Sequence, residues 1–138
     1  MATVIDADGL VVGRLSTHVA KRLLQGEEIA VVNAEKAIIT GERYAILGEF
    51  QARRARGSER KGPYYPKMPD RILRRAIRGM LPQKHSRGRN ALHRLEVYIG
   101  IPARLESAKP ETIPDAKKLP LRFMQLGELS KILGANIQ

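Results

Sequence analysis

The stretch TVIDADGLVVGRLSTHVAKRLLQGEEIAVVN, residues 3–33, decides the fold. Thr3–Asp6 is a short β-branched run closed by the turn-forming DADG, which reads as a buried strand entering a tight loop. In GRLSTHVAKRLLQG the apolar residues Leu15, Val19 and Leu23 recur every four positions and Leu24 widens the stripe, so a helix follows. Gly26 stands where a helix end wants a residue tolerant of positive φ. Ile29–Asn33 (IAVVN) is a continuous apolar run, too short for a helix and rich in β-branched residues, as in a strand covered on both faces. Strand, helix and strand in this space predict a βαβ unit on a parallel sheet, hence an α/β fold.

Downstream, Ala37–Thr40 is a brief apolar run that suits either a strand or the entry to a helix. ERYAILGEFQARRAR, from Glu42 to Arg56, puts Ile46, Leu47 and Phe50 in helical register, with Arg53, Arg54 and Arg56 near the C-terminal end, where the helix dipole favours cations. Pro63, Pro66 and Pro69 keep GSERKGPYYPKMPD out of regular structure. Asp70 is placed as N-cap of the next helix and Pro82 as its stop. Within that helix Ile72, Leu73, Ala76, Ile77, Met80 and Leu81 lie on one side, and Arg71, Arg74, Arg75 and Arg78 on the other. A basic turn and a short helix around Ala91, Leu92 and Leu95 come next, then LEVYIGIP as a buried strand closed by Pro102. ARLESAKPETIPDAKKLPLRFM, broken by Pro110, Pro114 and Pro120, reads as irregular chain over the surface. GELSKILGANIQ predicts a C-terminal helix on Leu129, Ile132 and Leu133 that Gly134 stops.

The length of 138 residues suits one domain able to bury a core without disulfides or metals. The expected organisation is one α/β domain over 1–138, with a basic region at 53–94 and an irregular segment at 103–126 before the last helix. No apolar run is long enough to span a bilayer, and MATVIDADGL lacks the regions of a secretory signal, so a soluble, intracellular protein is expected. The absence of cysteine excludes disulfides, thiolate nucleophiles and cysteine-bearing zinc sites.

Charge is what sets the composition apart. The net charge is +11 and the pI about 10.4, and the excess sits between Arg53 and Arg94. There fourteen Lys and Arg face only Glu59 and Asp70, while the rest of the chain is almost neutral. A solvated face usually mixes signs; this one hardly does, so a polyanion is the expected partner. Eleven of the fourteen cations are arginines. Their planar forks bind phosphate bidentately and stack on bases, which favours a structured nucleic acid over diffuse membrane charge. The candidate RNA-binding residues are Arg53, Arg54, Arg56, Arg60, Lys61, Tyr64, Tyr65, Lys67, Arg71, Arg74, Arg75, Arg78, Lys84, His85, Arg87, Arg89 and Arg94. Tyr64 and Tyr65 either stack on unpaired bases or pin the proline loop to the body. The spacing of Pro63, Pro66 and Pro69 also resembles a polyproline ligand, a weaker account of the loop than a nucleic-acid-facing arm.

No catalytic, cofactor or metal residue stands out. DADGLVVGRLS follows a strand and opens a helix, as a dinucleotide loop would, but supplies Gly9 and Gly13 rather than G-x-G-x-x-G, and there is no phosphate-binding G-x-x-x-x-G-K-[ST]. His18, His85 and His93 form no metal-binding pattern, Asp6 and Asp8 do not complete a calcium loop, and Ser16 and Thr17 have no nucleophile setting. A small nucleotide-binding enzyme on a Rossmann-like sheet is the alternative from another class. Its mark would be saturable mononucleotide binding near Gly9–Gly13.

Three blocks carry a resemblance to a known family. VIDADGLVVGRLSTHVAKRLL (4–24), VVNAEKAIITG (31–41) and RAIRGMLPQKHSRGRNALHRLEVYIG (75–100) resemble, in order, the universal large-subunit ribosomal protein family L-thirteen. The third block is the most specific, with RGMLP followed by GR, then RL and VY-G. The resemblance implies an α/β fold with a four-stranded parallel sheet between helices, binding to large-subunit ribosomal RNA during assembly beside neighbouring ribosomal proteins in the cytoplasm, and no catalysis. It makes Arg78, Gly79, Met80, Leu81 and Pro82 a helix end, and gives Gly88, Arg89 and Arg94 to the following turn and helix. The chain starts almost directly at its first strand, its middle is similar to the archaeal and eukaryotic branch, and its C-terminal part is short for a eukaryotic member. An archaeal type is therefore expected.

Overall fold

A computed structural model describes residues 3–56, 60, 65–117 and 120–135. The order of elements is β1 (Thr3–Asp6), α1 (Val12–Leu24), β2 (Ile29–Val32), a 3-10 turn (Ala34–Lys36), β3 (Ile38–Thr40), α2 (Arg43–Ala55), α3 (Pro69–Arg78), α4 (Ser86–His93) and β4 (Leu95–Val97). Two further 3-10 turns (Ala103–Leu105 and Pro114–Ala116), β5 (Phe123–Gln125) and α5 (Leu126–Ile132) complete it.

The opening unit folds as its pattern demands. β1 and β2 pair in parallel, Thr3 opposite Ile29 and Asp6 opposite Val32, and β4 joins the far side of β2 with Ile29 opposite Leu95. β2 is buried at all four positions, so both faces of the central strand are covered. Ile5, Ile29, Val31 and Leu95 share one face and one apolar cluster with Leu15, Val19 and Leu23 of α1 and Ile72, Leu73 and Ile77 of α3. Val4, Ala30 and Val32 are buried on the opposite face. Gly26, at φ 99°, takes the left-handed turn that ends α1.

The α/β class read from the sequence is the class observed, with three strands in the parallel sheet where four were implied. Among the described residues the open edge of β1 is met only at Glu111, whose N–H donates to the Val4 carbonyl at 2.8 Å while its carbonyl accepts from Asp6 N–H at 2.9 Å. The pairing is a single bridge, and from Pro114 the chain turns into the 3-10 turn Pro114–Ala116 instead of continuing as a strand. Arg22 of α1 fastens this segment, reaching Glu27 at 2.5 Å and Glu111 at 3.1 Å. The Glu27 hydrogen bond, partly opposed by burial and helped by Glu111, raises the Arg22 pKa.

Of the two readings of Ala37–Thr40 the strand holds: Ile38–Thr40 is β3, antiparallel to β5 with Ile38 opposite Gln125 and Thr40 opposite Phe123. Several other expectations are corrected. Phe123 and Met124, read as irregular chain, lie in a strand. The N-cap of α3 is Met68, with Pro69 at the first helical position; Asp70 sits in the first turn without a capping hydrogen bond. Proline is suited to that place because its missing N–H would be unpaired there anyway. α3 ends at Arg78, before Pro82, and Met80 is largely exposed while Leu81 turns inward. LEVYIGIP is a strand only to Val97, although Tyr98 N–H still donates to Val31 O at 2.8 Å. In α5 the buried residues are Leu126, Leu129 and Ser130, whereas Ile132 is exposed; Gly134, at φ 101°, ends the helix as expected.

Candidate nucleic-acid interface

α3 determines how the cationic residues are presented. Ile72, Leu73 and Ile77 anchor it in the core, and it packs against α1, β4 and the Ala34–Lys36 turn. With the apolar stripe held, Arg71 and Arg78 project into solvent. Arg74 and Arg75, expected on the same outward side, are half-buried and used within the protein. The Arg74 guanidinium donates to the carbonyls of Leu95 at 2.8 Å and Leu92 at 3.5 Å, joining α3 to the junction of α4 and β4. The Arg75 guanidinium lies 4.6 Å from the Tyr65 ring centroid.

This division changes what substitution should do. Arg74→Gln removes charged donors from partly buried carbonyls and is expected to cost about 1.5 kcal/mol of stability, read as a lower urea midpoint. Arg71→Gln is expected to stay within about 0.5 kcal/mol of the parent. Equal midpoints for the two variants would contradict the geometry.

Tyr65 resolves one of the open alternatives. Its ring meets Phe50 of α2 edge-on, centroids 5.8 Å apart and planes at 74°. Its hydroxyl accepts from Arg53 at 3.2 Å, and the Arg53 guanidinium is 5.6 Å from its centroid. Tyr65 therefore pins the returning loop onto α2 and α3. Arg53 also pairs with Glu49, one helical turn earlier. Lys61, Tyr64 and Pro63 lie outside the described residues.

Two more candidates serve the fold directly. Arg94 donates to the Leu23 carbonyl at 2.6 Å, an oxygen that also accepts from Gly26 N–H at 3.1 Å, and so ties the start of β4 to the end of α1. Arg54, although exposed, donates to the Leu133 carbonyl at 2.6 Å at the end of α5. Arg56, Arg60, Lys67, Lys84, His85, Arg87 and Arg89 are exposed. Arg89 also donates to Gln83 O at 3.1 Å, and Gln83 to Arg78 O at 3.0 Å, so the turn carrying Lys84 and His85 is tied to both helices. Within the 53–94 stretch the one carboxylate among the described residues is Asp70, half-buried in the first turn of α3, where the helix dipole favours it.

Sequence reasoning gave all these cations one role, and the structure splits them. Arg71, Arg78, Lys84 and Arg87 face outward on α3, α4 and the turn between them; none of the four enters an ion pair among the described residues. Arg53, Arg74, Arg75 and Arg94 brace the elements beneath. Gly88 allows the close approach on which this depends. A Cβ there would lie 2.5 Å from the Pro82 carbonyl carbon and closer still to its oxygen. No signal in a single sequence distinguishes that glycine from an ordinary turn residue.

The N–H groups of the loop before α1, Asp8 to Val11, are already committed inside the fold. Asp8 N–H donates to Asp6 Oδ1 at 3.0 Å, Gly9 N–H to Lys36 O at 3.1 Å, Leu10 N–H to Ala7 O at 3.0 Å and Val11 N–H to Ala116 O at 2.9 Å. Donors committed to the fold are not free for a pyrophosphate. Among the described residues no cluster of His, Asp or Glu has the arrangement of a metal site, and no helix is long and apolar enough to cross a membrane.

Comparison with known proteins matches residues 1–104 to the family model described as Ribosomal protein L13. Relatives named Large ribosomal subunit protein uL13 are similar along almost the whole chain. That of Methanosarcina barkeri is 53% identical over 137 residues, covering 96% of this chain and 98% of the relative. That of Archaeoglobus fulgidus is 50% identical over 136 residues, covering 96% and 87%. That of Thermoplasma volcanium is 51% identical over 132 residues, covering 95% and 97%.

Proposed function

Because the chain belongs to the ribosomal protein L13 family, we propose that it is a non-enzymatic constituent of the cytoplasmic large ribosomal subunit that binds large-subunit ribosomal RNA and supports assembly. The observation that carries the RNA reading is the set of outward cations, Arg71, Arg78, Lys84 and Arg87, held on elements whose other sides are buried. Residues 53–94 form the basic RNA-binding region of one domain spanning 1–138, and neighbouring ribosomal proteins are its other partners. No cofactor, metal or small-molecule substrate takes part.

The mechanism is electrostatic and geometric. Guanidinium groups neutralise phosphates and release their counterions, which supplies affinity. Their fixed positions on α3 and α4 then select a folded RNA whose phosphates match that spacing, because A-form RNA is read mainly by shape. Bracing by Arg74 and Arg94 limits the ordering that binding would otherwise require.

The test removes charge without touching the braces. Arg71, Arg78 and Arg87 changed together to Gln should weaken binding to a large-subunit rRNA transcript. The slope of log K against log salt should shrink by about 2–3, with thermal stability nearly unchanged. Parental affinity and slope in the triple variant would sink the assignment of this surface.

A further inference from the structure

A cleft of about 630 Å³ opens between the N-terminal end of α1, strand β3, the second half of α2, and α3. Its inner wall is apolar, with Ile39, Phe50, Ile72 and Ala76, and its rim carries Arg53, Arg56 and Arg75. We propose that this cleft seats one unstacked nucleotide of the bound RNA, a proposal that rests on the RNA-binding reading above.

The chemistry of the lining narrows the occupant. A bare phosphate would gain nothing from the apolar wall, and an apolar peptide side chain would gain nothing from three guanidiniums. A nucleotide has both a flat apolar base and an anionic tail, which matches the pairing of wall and rim. Two of the three guanidiniums lie against the Tyr65 ring, Arg75 at 4.6 Å and Arg53 at 5.6 Å. They place delocalised planar cations beside the opening, the surface on which bases stack. Among the described residues Glu49 is the one carboxylate lining the cleft, and it is already paired with Arg53. The rim therefore keeps an excess of positive charge directed at whatever enters. A base inside a duplex cannot reach the wall, so the occupant is unpaired, as in the loops and bulges where proteins read RNA. A free mononucleotide would find the loop N–H groups of Asp8 to Val11 already consumed inside the fold, whereas Val12 and Gly13, in the first turn of α1, line the cleft and carry the backbone donors left for a phosphate of the seated nucleotide.

The experiment fills the cleft without changing its charge. Ala76 is half-buried on α3 and lines the cleft, and leucine keeps the helix favourable there. Thr40, exposed at the end of β3, lines it from the other side. Full-length Ala76→Leu and, separately, Thr40→Trp would be titrated with a large-subunit rRNA transcript at several salt concentrations. Chemical probing of the RNA would accompany each titration.

Both variants should bind about tenfold more weakly, the loss expected for one stacked base, with the salt slope of the parent. A single base should be protected by the parent and reactive with both variants. Parental affinity and an unchanged protection pattern in both variants would overturn the nucleotide seat while leaving the outward arginines in place. If the Arg71, Arg78 and Arg87 triple variant also bound as tightly as the parent, the underlying surface assignment would fail with it. Saturable binding of AMP, GMP, CMP or UMP to the free protein, abolished by Ala76→Leu, would overturn the proposal in favour of a free-mononucleotide site.

Discussion

Affinity for large-subunit rRNA is expected to fall by about 10³–10⁵ between 50 and 200 mM salt, by analogy with proteins that contact 6 to 10 phosphates on duplex DNA. The expectation follows from how the charge is distributed. Fourteen cations and two carboxylates lie between Arg53 and Arg94, and the remainder of the chain is close to neutral. Part of that charge is spent inside the protein: Arg53 on Glu49 and Tyr65, Arg74 and Arg94 on backbone carbonyls. Arg56, Arg60, Lys67, Arg71, Arg78, Lys84, Arg87 and Arg89 are exposed, which suffices for a steep dependence. Filter binding or anisotropy across a salt series measures it, and a nearly flat line would mean that phosphate neutralisation is not the source of affinity.

Gly88→Ala is expected to cost about 3 kcal/mol or more of folding stability, at the upper end of what overpacking usually costs. A methyl group at Gly88 meets the backbone of Pro82, the carbonyl carbon at 2.5 Å and the ring Cδ at 2.9 Å. Neither is the free end of a flexible side chain, so relief requires α4 to move away from the turn at Pro82. That movement would also disturb the Arg89 to Gln83 and Arg74 to Leu92 hydrogen bonds. Chemical denaturation should show the loss, together with weaker RNA binding at temperatures where the variant remains folded. Alanine at Gly48, exposed on α2 with open space around its Cβ position, should be neutral to stabilising by contrast.

The parts of the fold that were readable in the sequence are those whose signal is local. Leu15, Val19 and Leu23 mark α1 because a helix returns the same face every four residues, and IAVV marks β2 because a strand buried on both faces has no polar alternation. β5 was hidden because its signal is not local. Phe123 and Gln125 are exposed, and its partner β3 lies more than eighty residues earlier. The start of α3 was misplaced by two residues because Asp70 is a familiar capping residue, although Pro69 was the better marker of the first helical position.

The basic region was legible as a surface and illegible as a set of roles. Arg71 and Arg74 look alike in sequence, three residues apart on the same helix. What separates them is that the carbonyls of Leu95 and Leu92 lie within reach of Arg74, which is half-buried, whereas Arg71 is exposed. The same holds for Arg94, whose acceptor at Leu23 is seventy-one residues away in the chain. Helical spacing assigns a side, but half-buried positions at the edge of the apolar stripe follow the hydrogen-bond acceptors that the rest of the fold brings near. Tyr65 is a related case: its aromatic character suited base stacking, and Phe50, Arg53 and Arg75 together decide that it holds the loop down.

The most direct test of an RNA-facing surface fixed in place by its packed underside is crosslinking of the chain to RNA within purified large ribosomal subunits, followed by identification of the crosslinked residues. The expected result is crosslinks concentrated between Arg53 and Arg94, falling on Arg71, Arg78, Lys84 and Arg87 and sparing Arg74 and Arg94. Crosslinks confined to residues outside that stretch, or falling on the braced arginines in preference to the outward ones, would contradict it.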